Sequence, residues 1–125
     1  MLVAAAGCGG AASIADANLP NVIGSWTLKS VNGSPPPGVV QASPKIELLE
    51  DVYTFNASGS YTESGSQRTT TSTQILTETI TEAGNWILGK SSITLAPSTG
   101  GAYPATVTDT SLTFTFGTLV LVYKR

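Results

Sequence analysis

From Val22 onward apolar residues alternate with threonine, serine and charged residues. A period of two puts one set of side chains on each face of an extended strand, so the segment reads as β-structure. No stretch repeats apolar residues at helical spacing, and glycine, asparagine, aspartate and proline break the alternation at short intervals. Strand A is expected over Gly24 to Val31, with Trp26 and Leu28 on one face and Thr27 and Lys29 on the other. Asn32-Gly33 ends it, and Ser34 to Pro44, with four prolines, is expected to be the longest loop and a candidate lid. Strand B covers Lys45 to Phe55, and Asn56-Ala57-Ser58-Gly59 turns the chain into strand C, Ser60 to Thr70. Strand D is expected from Thr73 to Leu88, with a bulge or kink at Ala83-Gly84. Strand E (Ser92 to Ala96), strand F (Ala102 to Thr108), strand G (Ser111 to Phe116) and strand H (Thr118 to Arg125) complete the series.

Eight sequential antiparallel strands joined by short turns most simply form a meander. A meander of this length closes into an up-and-down barrel, which leaves no exposed sheet edge; a sandwich is the competing architecture. The fold class expected is therefore all-β: a single eight-stranded antiparallel up-and-down barrel over residues 22–125, with residues 1–21 as a signal remnant and flexible tether. At 125 residues the chain holds one such domain.

Composition narrows the chemistry. Only 11 % of residues are charged, six basic against eight acidic, which does not make the positive field that nucleic acid requires. Histidine is absent and there is one cysteine, Cys8. Histidine-based triads, histidine or multi-cysteine metal centres and CxxC redox pairs are thereby excluded. Threonine and serine are abundant, yet 41 % of residues are hydrophobic, too many for a disordered stalk. Glu78 and Glu82 lie four residues apart on one strand, roughly 13 Å, too far for a glycosidase pair. Glu50 and Asp51 are neighbours, so an extended strand points them to opposite faces, and the pair marks a bulge or turn rather than a metal site. The expectation is a non-catalytic protein with no metal and no cofactor.

Strand D leaves its register open. Leu76, Glu78, Ile80 and Glu82 share one face, and Ile75, Thr77, Thr79 and Thr81 the other. The favoured reading points the Ile/Thr face inward and Glu78 to solvent. In the opposite reading Glu78 enters the lumen, where a carboxylate needs a partner or a raised pKa and becomes a polar handle for a ligand. Trp26 is expected to be structural, since an aromatic on an alternating strand is usually core.

The N-terminal run Ala5-Ala6-Gly7-Cys8 resembles a bacterial lipobox, in which small residues precede a cysteine that becomes acylated. That resemblance implies lipidation at Cys8, attachment to the membrane through acyl chains, and a place in the bacterial envelope, periplasmic or at the cell surface. The stretch after Cys8, GGAASIADANLPN, is small and polar and reads as the tether.

Gly24-Ser25-Trp26 on the first strand, the long first loop and Arg125 on the last strand together resemble the lipocalin pattern. More narrowly, GSWTLKSVNGSPPP, YTFNASGSYT, EAGNWILGKSSITL and YPATVTDTSLTF resemble the short bacterial lipocalin-like domains, often lipoproteins. The resemblance implies that Trp26 packs across the closed end of the barrel under Arg125. It also implies a small apolar or amphipathic ligand in the mouth, with Leu48, Tyr53, Phe55, Leu76, Glu78, Phe114 and Phe116 as the candidate lining. The alternative is a barrel filled by its own side chains that binds a protein through its loops, as a peptidase inhibitor does, with Ser34 to Pro44 as the contact.

Overall fold

The computed structural model describes residues 19–125. Cys8 and the lipobox-like run lie outside the described residues. The fold is all-β, an antiparallel meander closed into an eight-stranded barrel, with a ninth short strand at one rim. The strands are β1 (Gly24–Val31), β2 (Gly38–Gln41), β3 (Lys45–Phe55), β4 (Ser60–Thr70), β5 (Ile75–Leu88), β6 (Ser92–Pro97), β7 (Tyr103–Val107), β8 (Ser111–Phe116) and β9 (Leu119–Lys124). From β3 to β9 each strand pairs with the next, and β1 closes the cylinder by pairing with β9 on one side and β3 on the other.

Closure selects which of the alternating residues go inside. Trp26, Leu28 and Val31 of β1, Tyr53 and Phe55 of β3, Trp86 and Leu88 of β5, Ile93 and Leu95 of β6, and Leu112 and Phe114 of β8 are all buried, while the residues between them face outward or are less buried. Burying a full side chain of this size contributes about 1.5–3 kcal/mol, so the inward set supplies the driving force for closure. At the end where β1 begins, the indole Nε1–H of Trp26 donates to the Val22 carbonyl at 2.9 Å, and Arg125 lies over the ring.

Three expectations are corrected. Ser34 to Pro44 is not a plain loop: its residues Gly38–Gln41 form β2, which pairs with the first half of β3. After Thr27 β1 parts from β3 and continues to Val31 beside β9, and β2 takes the vacated edge of β3, with Gly38 so close to Val31 that a Cβ would come within 2.3 Å of the Val31 Cβ. This tie to β3 argues against a freely hinged lid. The fifth strand begins at Ile75 rather than Thr73, and its ladder with β4 runs through Ala83 and Gly84 without a register shift. Gly84 instead marks where β6 joins β5, at a spacing so tight that a Cβ would lie 2.1 Å from the Ala96 carbonyl oxygen. Finally, the inward face of β5 is the one carrying Ile80, Glu82, Gly84, Trp86 and Leu88, not the Ile/Thr face. The bulge near the adjacent acids is real, with a register shift between Leu48 and Glu50, and it leaves Glu50 exposed and Asp51 buried.

β4 and β5 outrun the rest of the barrel. β6 accompanies β5 only over Gly84 to Leu88, so the hairpin from Ser64 to Thr81 projects past the rim with β3 and β2 on one side. This overhang defines the mouth.

Candidate functional site

Counting inward positions two by two toward the mouth brings acids into the lumen. On β3 the series Phe55, Tyr53 continues to Asp51; on β4 Tyr61 continues to Glu63; on β5 Trp86 and Gly84 continue to Glu82. Register places Glu63 opposite Glu82 and beside Tyr53. Three acids and four tyrosines, Tyr53, Tyr61, Tyr103 and Tyr123, thus form a polar layer above the aromatic floor of Phe55, Trp26 and Trp86.

Its hydrogen bonds are ordered by the acids, which when ionised can only accept. Tyr61 donates to Glu82 Oε2 at 2.7 Å, and Tyr103 donates to the same oxygen. Tyr103 has then used its one proton, so at the 3.1 Å contact with Tyr53 it is the Tyr53 hydroxyl that donates. Across the lumen Tyr123 donates to Asp51 Oδ2 at 2.5 Å. Asp51 is 1 % exposed, and its Oδ1 is buried with no hydrogen-bond partner. Left unpaired, a buried acceptor forfeits about 1–3 kcal/mol, and the Glu63 carboxyl beside it is the group placed to supply the missing proton.

The electrostatics follow from burial without a counter-charge. Burial pushes the Asp51 carboxyl above the usual carboxylate range against the opposing effect of its hydrogen bonds. Burial, then the hydrogen bond and charge of Asp51 and the charge of Glu82, push Glu63 up to about 9. Glu63 therefore holds a proton at neutral pH and is the neighbour able to offer it to Asp51. Burial also raises all four tyrosines, so they remain hydroxyl donors. Among the described residues no lysine or arginine is a leading influence on Asp51 or Glu63 or forms an ion pair with either; Arg68 is engaged with Glu47 at 2.9 Å. Among the described residues no three metal-ligating side chains converge into a metal site.

The candidate lining residues separate into two groups. Leu48, Tyr53, Phe55 and Phe114 are buried, and Tyr53 and Phe114 pack with ring centroids 5.0 Å apart, so they fill the lumen. Phe55 and Trp86 meet edge to face at 6.1 Å, which closes the floor. Leu76 and Glu78 stand on the inward face of β5 but beyond the rim, in solvent, so Glu78 is not the lumen acid; Glu82, two repeats deeper, is. Phe116 is 46 % exposed at the rim, its ring stacked on Phe114 at 6.1 Å and tilted against Tyr103 at the same distance. Glu63 and Glu82 border an open cleft of about 450 Å³ that continues past Thr81 to Ser98 and Thr99. At the opposite end a smaller recess of about 130 Å³ lies between Val22, Ile23, Trp86 and Leu88.

The acid cluster follows from the alternation once closure of the barrel has set the inward face of β5. Fixing Trp86 as inward and stepping back by twos through Gly84 gives Glu82, and one step of two forward from Tyr61 gives Glu63. The missing information was that Trp86, not the Ile/Thr alternation, sets the face. No protein-family model matches the chain, and no curated protein or solved structure is significantly similar to it.

Proposed function

We propose that the chain is a non-catalytic binding protein of the bacterial envelope that takes a small amphipathic molecule at the barrel mouth. The supporting observation is the buried, uncompensated acid and tyrosine layer beneath an exposed aromatic rim. A cationic head, such as an alkyl ammonium, entering by the cleft above the filled lumen, fits the Glu82 carboxylate and the half-buried ring of Tyr103 beside it. Ammonium over an aromatic face contributes about 0.5–2 kcal/mol, and the charge-assisted bond to a carboxylate adds to it. The apolar tail then lies along Phe116, Ile80 and Leu76 on the overhang. The similarity of residues 5–8 to a lipobox supports acylation at Cys8, which holds the barrel at a membrane. The tryptophan, long first loop and last-strand arginine support a lipocalin-like assignment.

The packed floor favours a second reading, a filled barrel that binds a protein through Ser34 to Pro44. One titration separates the two. The full chain is titrated with an alkyl primary amine carrying a terminal dansyl group, and with the carboxylic acid of the same length. Saturable one-to-one binding of the amine, weaker by about tenfold in Glu82→Gln, is the expected result. Preference for the acid removes the cationic head, and saturation by neither probe leaves the filled barrel. Intact mass after expression in a lipoprotein-processing host tests the anchor: an unmodified Cys8 overturns it.

A further inference from the structure

We infer that the chain pairs with a second copy of itself through the open edge of β5, around a two-fold axis at Thr79. Hydrogen bonds from Thr71 N–H to the Gln74 carbonyl and from Trp86 N–H to the Gly59 carbonyl fix the phase of the β4–β5 ladder. Even-numbered residues of β5 bond to β4, and odd-numbered residues turn their N–H and C=O groups to the other side. Over Gly84 to Leu88 that other side is β6, and the Ala83 carbonyl is taken by Ser98 N–H at 2.9 Å. Over Ile75, Thr77, Thr79 and Thr81 no strand among the described residues is there to meet them.

Exposed edges are usually blunted by proline, lysine or a bulge, or by a covering segment. The opposite edge of this same overhang has such a cover, β2, reached through Pro35 to Pro37. Among the described residues no segment covers the β5 edge; ILTETIT contains no proline, lysine or glycine, its one charge is Glu78, and its ladder with β4 is regular. Ile75 is 67 % exposed there.

The edge is complementary to itself in one register. With Thr79 facing Thr79 of the second copy, Thr77 faces Thr81, and these positions exchange six main-chain hydrogen bonds. On the outer face this makes threonine pairs, a favourable cross-strand combination. On the mouth face Glu78 lies opposite Ile80 and Glu82 opposite Leu76. Sliding the register to either neighbouring arrangement sets Glu78 against Glu78 or against Glu82, so charge selects the Thr79-centred one.

Sedimentation equilibrium of the full, unacylated chain from micromolar to millimolar concentration reads the association directly, and a reversible monomer–dimer equilibrium is expected. Thr79→Pro removes both central N–H donors where they face solvent in the monomer, a position a strand tolerates, and leaves the chain monomeric. A second pair of variants keeps every main-chain donor. T77E/T81E opposes carboxylates at both ends and weakens dimerisation roughly tenfold, whereas T77E/T81K opposes unlike charges and restores it. A chain that is monomeric at every concentration overturns the inference. So does a dimer indifferent to Thr79→Pro, or one that responds equally to the two charged pairs.

Discussion

The guanidinium carbon of Arg125 lies 4.4 Å from the centroid of the Trp26 ring, joining the last strand's exit to the first strand's entry at the closed end of the barrel. The same side chain reaches the backbone carbonyls of Ile23 and Asp109, each at 3.0 Å, and that of Asn21. It thereby ties down the segment that leads into β1. The contact was legible in the sequence as a resemblance; the three carbonyls were not.

Arg125 is exposed, so its cation–π contact is at the weaker end, and its charged hydrogen bonds carry most of its effect. Arg125→Ala is expected to lower stability by about 1–2 kcal/mol. Trp26→Ala, which empties a fully buried site, is expected to cost about 3–5 kcal/mol. In urea denaturation the double variant should fall short of the sum of the two singles, because the shared contact is lost only once; strict additivity would show that the stacking contributes nothing.

Gly84→Ala forces a Cβ to within 2.1 Å of the Ala96 carbonyl oxygen, a backbone atom that cannot rotate away. β6 must then part from β5. A loss of about 3 kcal/mol is expected, at the upper end of overpacking costs. Thermal unfolding measures it, and an unchanged midpoint refutes the tight approach of the two strands.

Glu63 is pushed up to about 9 in the folded state, from an ordinary value near 4.5. Between those values the folded protein holds a proton that the unfolded chain has released, so stability is full at the acidic end and falls as pH rises toward 9. The raised carboxyl of Asp51 acts in the same direction. Denaturation midpoints measured from pH 5 to 9 should therefore decline, and Glu63→Gln should flatten the slope. A midpoint that climbs with pH contradicts the protonated state of this pair.

Phe114 is fully buried between Tyr53, Tyr103, Phe116 and Tyr123. Phe114→Ala is expected to cost about 3–5 kcal/mol and to leave an apolar void beneath the rim. Benzene or a similar small ring should raise the melting temperature of that variant and not of the parent. Equal response in both chains would mean that the parent lumen already has room.

Eight of the nine strands were written in the alternation and its interruptions, β2 being the exception: Asn56 to Gly59 turns β3 into β4, and Asp109-Thr110 turns β7 into β8, with bounds within two residues of those expected. Such features are local, because an asparagine or glycine specifies a turn wherever it stands, and period two specifies an extended strand without knowledge of its neighbours. The face of β5 was different. Ile75, Thr77, Thr79 and Thr81 are about as apolar as Leu76, Glu78, Ile80 and Glu82, so the pattern balances; only closure of the barrel, which puts Trp86 inside, breaks the tie. That tertiary decision buries Glu82 rather than Glu78 and gathers it with Asp51 and Glu63, three acids from three strands. Neither the cluster nor the open edge of β5 has a signature in one segment. Each exists because neighbouring strands end at different heights or turn the same face inward, which is a property of the closed sheet.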